Sequence, residues 1–217
     1  MLNRKSILYI VGVFLLLLST KMYSVSFGAW GGMTGKGKFF VNPIFYSTFD
    51  PVIGLDLVSG YGFTDNVDLL VNLSTIGYAE STFAWGGAWL MPRYDLGSLG
   101  ILGYNILGLI LGYSTEFYGG LQYHTSLNFI PNFFIEINAF GTYYGSGTFS
   151  YGGIIAPVLK FVDMFGIYFE TDLTIAGEEF VYDFVPGIDL NFGSAGELSI
   201  GYKIISQTIG AWYFVAF

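Results

Sequence analysis

Few residues in this chain are equipped for chemistry. Its 217 residues include one histidine, His124, sixteen carboxylates and no cysteine. Ser126 follows His124 by two places, and at that spacing on a β-strand the two side chains share a face. The pair has the types of a base and a nucleophile, and Asn128 stands nearby. Nucleophilic catalysis also needs a third, orienting group and an oxyanion site, and the sequence identifies neither. Glu170 and Asp172 repeat the spacing with two carboxylates, which suits acid/base work or calcium, and equally the lining of a wet interior. Glu178-Glu179 reads as solvated loop charge. Without cysteine there are no disulfides, thiolate metal sites or cysteine nucleophiles, and a lone histidine leaves little for a histidine-rich metal site. No glycine-rich loop between strand and helix offers to cradle phosphate. The sequence therefore predicts no catalytic residue, no metal site and no cofactor.

The elements that carry these residues read as strands. Only 11% of the chain is charged, while 53% is hydrophobic and 20% aromatic. A soluble domain is about 25% charged. Yet 31 glycines are scattered through the chain, and beyond Leu18 no run of about 20 apolar residues offers a membrane helix. Much apolar surface without long apolar runs is the pattern of a transmembrane barrel, whose strands alternate lipid-facing and lumen-facing residues.

Residues Met1 to Ser26 read as a signal peptide. Arg4 and Lys5 give the positive start, Ile7 to Leu18 the apolar region, and Ser24-Val25-Ser26 a small-x-small cleavage site. An uncleaved anchor helix is the alternative. The expected organisation is thus 1–26 signal peptide and 27–217 barrel. Cleavage would leave five basic residues against sixteen acids, a net charge of −11. That disfavours nucleic acid as a partner, since the phosphate backbone calls for a basic face.

Tight turn signals recur roughly every 32 residues, at Thr64-Asp65-Asn66, Gly97-Ser98-Leu99-Gly100, Pro131-Asn132, Val162-Asp163-Met164 and Gly193-Ser194-Ala195-Gly196. Looser glycine- and serine-containing connections fall between them. Short turns alternating with longer loops predict an antiparallel up-and-down barrel of twelve strands, with the turns in the periplasm. Ten strands is the alternative, because Ile101 to Tyr113 alternates poorly. A soluble periplasmic β-protein is a further, weaker reading of the same alternation.

Alternation assigns the faces. Val67, Leu69, Val71 and Leu73 oppose Asp68, Asn72 and Ser74, while Leu121, Tyr123, Leu127 and Phe129 oppose Gln122, His124, Ser126 and Asn128. The predicted inward acids are Asp56, Asp68, Glu136, Glu170, Asp172, Asp183, Asp189 and Glu197, and the inward bases Lys36, Lys38, Arg93, Lys160 and Lys203. A charge facing mid-bilayer lipid costs about 2–4 kcal/mol, so a barrel requires this sorting. Beyond a solvated, ion-paired interior, the acids at 136, 170, 172, 183 and 189 suggest a cation-preferring path. Twelve tilted strands close a barrel roughly 22–24 Å across with a bore of about 10 Å. Trp89, Phe134, Phe140 and Tyr168 are the inward side chains that would narrow it. Pro43, Pro92, Pro157 and Pro186 fall inside strands on the outward parity, where they suggest bulges.

Three stretches carry family resemblances. The end, Gly210-Ala211-Trp212-Tyr213-Phe214-Val215-Ala216-Phe217, resembles the carboxy-terminal assembly signal of bacterial outer-membrane proteins. The resemblance implies that the barrel-assembly machinery reads Tyr213, Val215 and Phe217. The His124/Ser126 pair resembles that of the outer-membrane phospholipase, although there the pair faces lipid and here the pattern turns it inward. Gly35-Lys36-Gly37-Lys38-Phe39-Phe40-Val41-Asn42-Pro43 and Tyr61-Gly62-Phe63-Thr64-Asp65-Asn66-Val67-Asp68-Leu69 resemble the opening of barrels grouped under the label "MetA pathway of phenol degradation". That implies a porin-like or transport role in the outer membrane of a Gram-negative cell, with membrane lipid, small solutes or ions as partners. The expected function is passage of ions or small solutes through a narrow, mainly acidic lumen. A plugged structural or surface barrel is the alternative, and a lipid hydrolase at His124/Ser126 comes third. The sequence names neither a solute nor an oligomeric state.

Overall fold

The computed structural model describes residues 32–48, 52–79 and 82–217, so the predicted signal peptide lies outside the described residues. Thirteen strands are described: β1 (Phe39–Thr48), β2 (Val52–Gly62), β3 (Val67–Ala79), β4 (Thr82–Trp85), β5 (Ala88–Asp95), β6 (Leu102–Tyr113), β7 (Phe117–Ile130), β8 (Phe133–Tyr144), β9 (Phe149–Val162), β10 (Phe165–Ala176), β11 (Glu179–Asn191), β12 (Glu197–Lys203) and β13 (Thr208–Ala216). One short 3-10 turn, Gly193–Ala195, joins β11 to β12.

Each strand pairs antiparallel with its neighbours, and β1 pairs with β13 from Phe40↔Ala216 to Thr48↔Thr208, closing the sheet. The ring has twelve members, because β4 pairs only with β3. Gly86-Gly87 separates β4 from β5, with Gly87 at φ +114. A Cβ there would fall 2.2 Å from the Tyr113 carbonyl oxygen on the next strand, so glycine is required. The twelve-strand reading holds, and the ten-strand alternative falls because Leu102–Tyr113 is a full strand.

The poor alternation of β6 has two causes: its inward residues Ile106, Gly108, Ile110 and Gly112 are apolar, and Asn105 is polar on the outward parity. The register of β6 against β7 shifts between Leu102 and Asn105. Asn105 and Thr125 are cross-strand partners on the outward parity, yet both are buried. Asn105 Nδ2 donates to the Gly97 carbonyl at 2.7 Å, and the Tyr123 and Thr125 hydroxyls donate to Asn105 Oδ1 at 2.6 and 3.1 Å. Polar side chains can sit on the outer face here because the preceding turn and the Tyr123 hydroxyl satisfy them.

Two expectations are corrected. Apart from the connection between β3 and β5, which carries β4, the connections far from the termini are no longer than the tight turns. The chain passes from Tyr113 to Phe117, from Tyr144 to Phe149, from Ala176 to Glu179 and from Lys203 to Thr208 with only short links. The prolines also do not mark bulges. The ladder skips from Val41↔Val215 to Ile44↔Trp212 around Pro43, from Leu90↔Leu111 to Arg93↔Gly108 around Pro92, and from Tyr168↔Val158 to Thr171↔Ile155 around Pro157. Across each gap the register is unchanged. Pairing of β11 with β12 stops at Gly187↔Gly201, one residue short of Pro186, and Ile204 N–H resumes the same register on the Phe184 carbonyl. A strand residue directs N–H and C=O toward the same neighbour, so a proline loses one ladder and leaves the other intact. Pro157 and Pro186 still pair with Ile135 and Phe169 on their other sides.

Candidate functional site: the barrel interior

The burial pattern alternates as a barrel wall demands. On β3, Asp68 and Leu70 have no exposed surface, while Leu73 is 60% exposed. Around the ring the outward side chains are Leu, Ile, Val and aromatics. Outward rings stack in pairs near both ends of the strands. Phe129–Phe133 and Phe161–Phe165 lie toward the termini, and Phe149–Tyr151 and Phe180–Tyr182 toward the opposite end. Two aromatic girdles flanking an apolar band are the outer surface of a transmembrane barrel. An apolar groove of about 660 Å³ lies on the outer face where Pro157 and Pro186 flank Phe169.

Inside, the apolar component is larger than the sequence reading allowed. Phe40, Ile44, Val58, Leu70, Met91, Val158, Tyr168, Val185 and Trp212 form one buried cluster, against which Trp89, Ile110, Phe134 and Phe214 pack. Leu70 on β3 and Tyr168 on β10 belong to it although their strands stand opposite each other in the ring. Its members follow the strands round the inner wall from β5 through the closing seam to β9, and Val58, Leu70 and Val185 among them are at most 1% exposed. Of the four predicted narrowing residues, Trp89, Phe134 and Tyr168 join it; Phe140 is half-buried against Gly152 instead. Ile44, Val58, Leu70, Val185 and Trp212 were missed as lining residues, although their parity places them beside the polar residues already assigned inward.

The charges sit around this layer. Arg93 grips Asp68 with Nε to Oδ1 at 2.9 Å and Nη2 to Oδ2 at 2.6 Å, a two-pronged pair with both side chains buried. Lys203 Nζ lies 3.2 Å from Asp172 Oδ2. His124 Nε2 lies 3.2 Å from Glu136 Oε2 and 3.2 Å from the Tyr104 hydroxyl. A void of about 10 Å³ beside His124, lined by Met91, Arg93, Ile106, Gly108 and Gln122, has room for one water at most.

The remaining predicted acids have varied surroundings. Asp183 is committed to backbone. Its Oδ1 accepts from Phe184 N–H at 2.8 Å and Ile205 N–H at 2.9 Å, and its Oδ2 from Ser206 N–H at 3.1 Å. Asp189 accepts from the Ser199 hydroxyl. Asp56 and Glu170 are fully buried, and Glu197 is half-buried. Lys160 is exposed, with Nζ 5.4 Å from the centre of the Phe134 ring. Lys36 and Lys38 precede β1 and are exposed. His124 and Ser126 are both turned inside and buried, and the contacts of His124 are with Glu136 and Tyr104 rather than Ser126. Among the described residues no group of three His, Asp or Glu side chains is placed to hold a metal ion. At the closing seam, Phe217 N–H donates to the Phe39 carbonyl at 2.7 Å and Phe39 N–H to the Phe217 carbonyl at 3.1 Å. Tyr213 donates its hydroxyl to the Ala195 carbonyl.

A closed twelve-stranded antiparallel ring, apolar and girdled outside with its buried charges inside, defines a β-barrel of the bacterial outer-membrane type. Its likeness to solved structures points the same way. The chain superposes on the COG4313 outer membrane channel from Pseudomonas putida F1 with a TM-score of 0.61 and 13% identity, covering 89% of this chain and 100% of that one. It superposes on the KdgM porin with a TM-score of 0.60 and 9% identity, covering 82% and 98%. A second KdgM structure, in complex with disordered oligogalacturonate, gives 0.56 and 11%, covering 83% and 98%. No family model matches the chain. No curated protein matches it either. At these identities the likeness establishes the fold, and the expected porin- or transporter-like barrel architecture is met.

Proposed function

We propose that the protein is an outer-membrane channel of porin type that passes small solutes or ions through its interior. One observation carries the reading: buried ion pairs lie inside a closed barrel toward both ends of an apolar constriction, with Asp68–Arg93 toward the termini and Asp172–Lys203 toward the far loops. In this reading Asp56, Asp68, Glu136, Glu170, Asp172, Asp183, Asp189 and Glu197, with Arg93, Lys160 and Lys203, line the path. Lys36 and Lys38 stand at one mouth. The excess of acids favours cations, while the buried apolar layer sets the narrowest level. The superposed outer membrane channel and porin support the role without supplying a solute. Tyr213 and Val215 on β13, with Phe217 directly after it, act as the assembly signal.

The cluster also favours a second reading, a plugged structural barrel, because Val58, Leu70 and Val185 within it are at most 1% exposed. Single-channel recording of the refolded barrel in a planar bilayer under a salt gradient separates the two. Discrete steps with a cation-favouring reversal potential are expected. A correctly folded barrel without conductance would leave the plugged barrel.

A further inference from the structure

Ahead of β1 the chain turns back into the barrel. Gly35 and Gly37 adopt φ +81 and +73, and Lys38 N–H donates to the Gly35 carbonyl at 3.1 Å, closing a tight reversal. Gly37 N–H donates to the Gly62 carbonyl at 2.8 Å, and Lys36 bridges to Gly62, so the reversal rests on the end of β2. Before the reversal, Thr34 reaches the interior ion pair. Its N–H and hydroxyl both donate to Asp68 Oδ2, at 2.9 and 2.8 Å. Arg93 Nη2, already on Asp68, also donates to the Gly32 carbonyl at 2.9 Å. The carboxylate and guanidinium that hold each other thus hold the arm as well, and both are buried.

Gly62 shows how closely the arm is seated. A Cβ built there falls 1.9 Å from the Gly35 carbonyl oxygen, 2.5 Å from its carbon and 3.1 Å from its nitrogen. These are its three nearest atoms, and all belong to the arm's backbone. The inner face at residue 62 is therefore bare because the arm lies on it.

We propose that Gly32 to Lys38 is a latch across the mouth where β1 begins and β13 ends, with Asp68–Arg93 as its catch. Seated, it narrows the channel at that mouth; released, it widens it. The latch rests on the channel reading, and its test separates the two.

Gly62→Ala is the decisive variant, because its new methyl meets arm backbone first and leaves Asp68 and Arg93 untouched. The chain has no cysteine, so Met33→Cys provides a unique reporter in otherwise full-length refolded protein. Labelling by a membrane-impermeant maleimide should be slow with Gly62 and about tenfold faster with Gly62→Ala, as for a segment freed by local opening. Gly62→Ala without the reporter should show a larger single-channel conductance. Thr34→Val, which removes one hydrogen bond at nearly constant volume, should move both readouts the same way by less, and decides the matter if Gly62→Ala does not fold. Unchanged labelling in a folded barrel would overturn the seating of the arm. Faster labelling with unchanged conductance would overturn the latch and leave the channel standing. Faster labelling with no conductance in any variant would overturn the latch together with the channel reading.

Discussion

The ring of Tyr168 occupies the space that a side chain on Gly187 would need. The two are cross-strand partners on β10 and β11, and a Cβ on Gly187 would fall 2.0 Å from the Tyr168 ring carbon Cζ. A Cβ on Gly201 would meet the Tyr168 hydroxyl at 2.5 Å. The ring therefore lies along the wall in a recess made by two glycines, with Trp212 next to it at 6.1 Å between ring centres. Gly187→Ala should push the ring out of its recess into the interior and lower single-channel conductance. Tyr168→Ala should raise conductance, at a stability cost of about 3–5 kcal/mol for losing a large buried ring. Equal conductance in the two variants would count against the apolar layer as the constriction.

Asp183 should behave as a structural carboxylate. Asp183→Ala removes the acceptor of the Ile205 and Ser206 N–H groups, which hold the link between β12 and β13. A loss of about 1–2 kcal/mol is expected for unpaired, partly buried donors, read by denaturant unfolding of the refolded barrel. Ion selectivity should change little.

Asp172 and Lys203 should move selectivity in opposite directions. Their 3.2 Å contact neutralises a carboxylate with no exposed surface. Lys203→Met should release that charge and shift the zero-current potential under a salt gradient toward cations. Asp172→Asn should shift it toward anions. Shifts of the same sign would remove this pair from the conduction path.

The outer face should reject charge where the inner face carries it. Leu173 projects outward beside the buried Asp172. Leu173→Arg should cost about 2–4 kcal/mol if the residue lies near mid-bilayer, measured by equilibrium unfolding in phospholipid vesicles. Leu173→Ile should cost far less.

Alternation was enough to read the barrel, because a wall one residue thick between lipid and interior forces a period of two on every strand. Val67 to Asn72 already separates the outward apolar residues from Asp68, and its partner strand Trp89 to Tyr94 places Arg93 on the same side as Asp68. Where the pattern failed, at Ile101 to Tyr113, the inward residues Ile106, Gly108, Ile110 and Gly112 are as apolar as the outward ones, and a register shift buries Asn105 on the outer parity. Local sequence cannot announce such a shift, because the groups that satisfy it come from a turn and a neighbouring strand.

The sequence by itself determined the class of structure, since that follows from periodicity along single strands. Tertiary structure decided what the interior is. Leu70, Val185 and Trp212 come from strands far apart in the chain, and only closure between β1 and β13 brings them into one apolar layer. Closure also decided the chemistry of the charges. It gave Asp68 to Arg93 and Thr34, Asp172 to Lys203, and Asp183 to the backbone of a distant link. Parity along a strand fixes a side chain's direction, but its partners are set by the curvature and register of the whole ring.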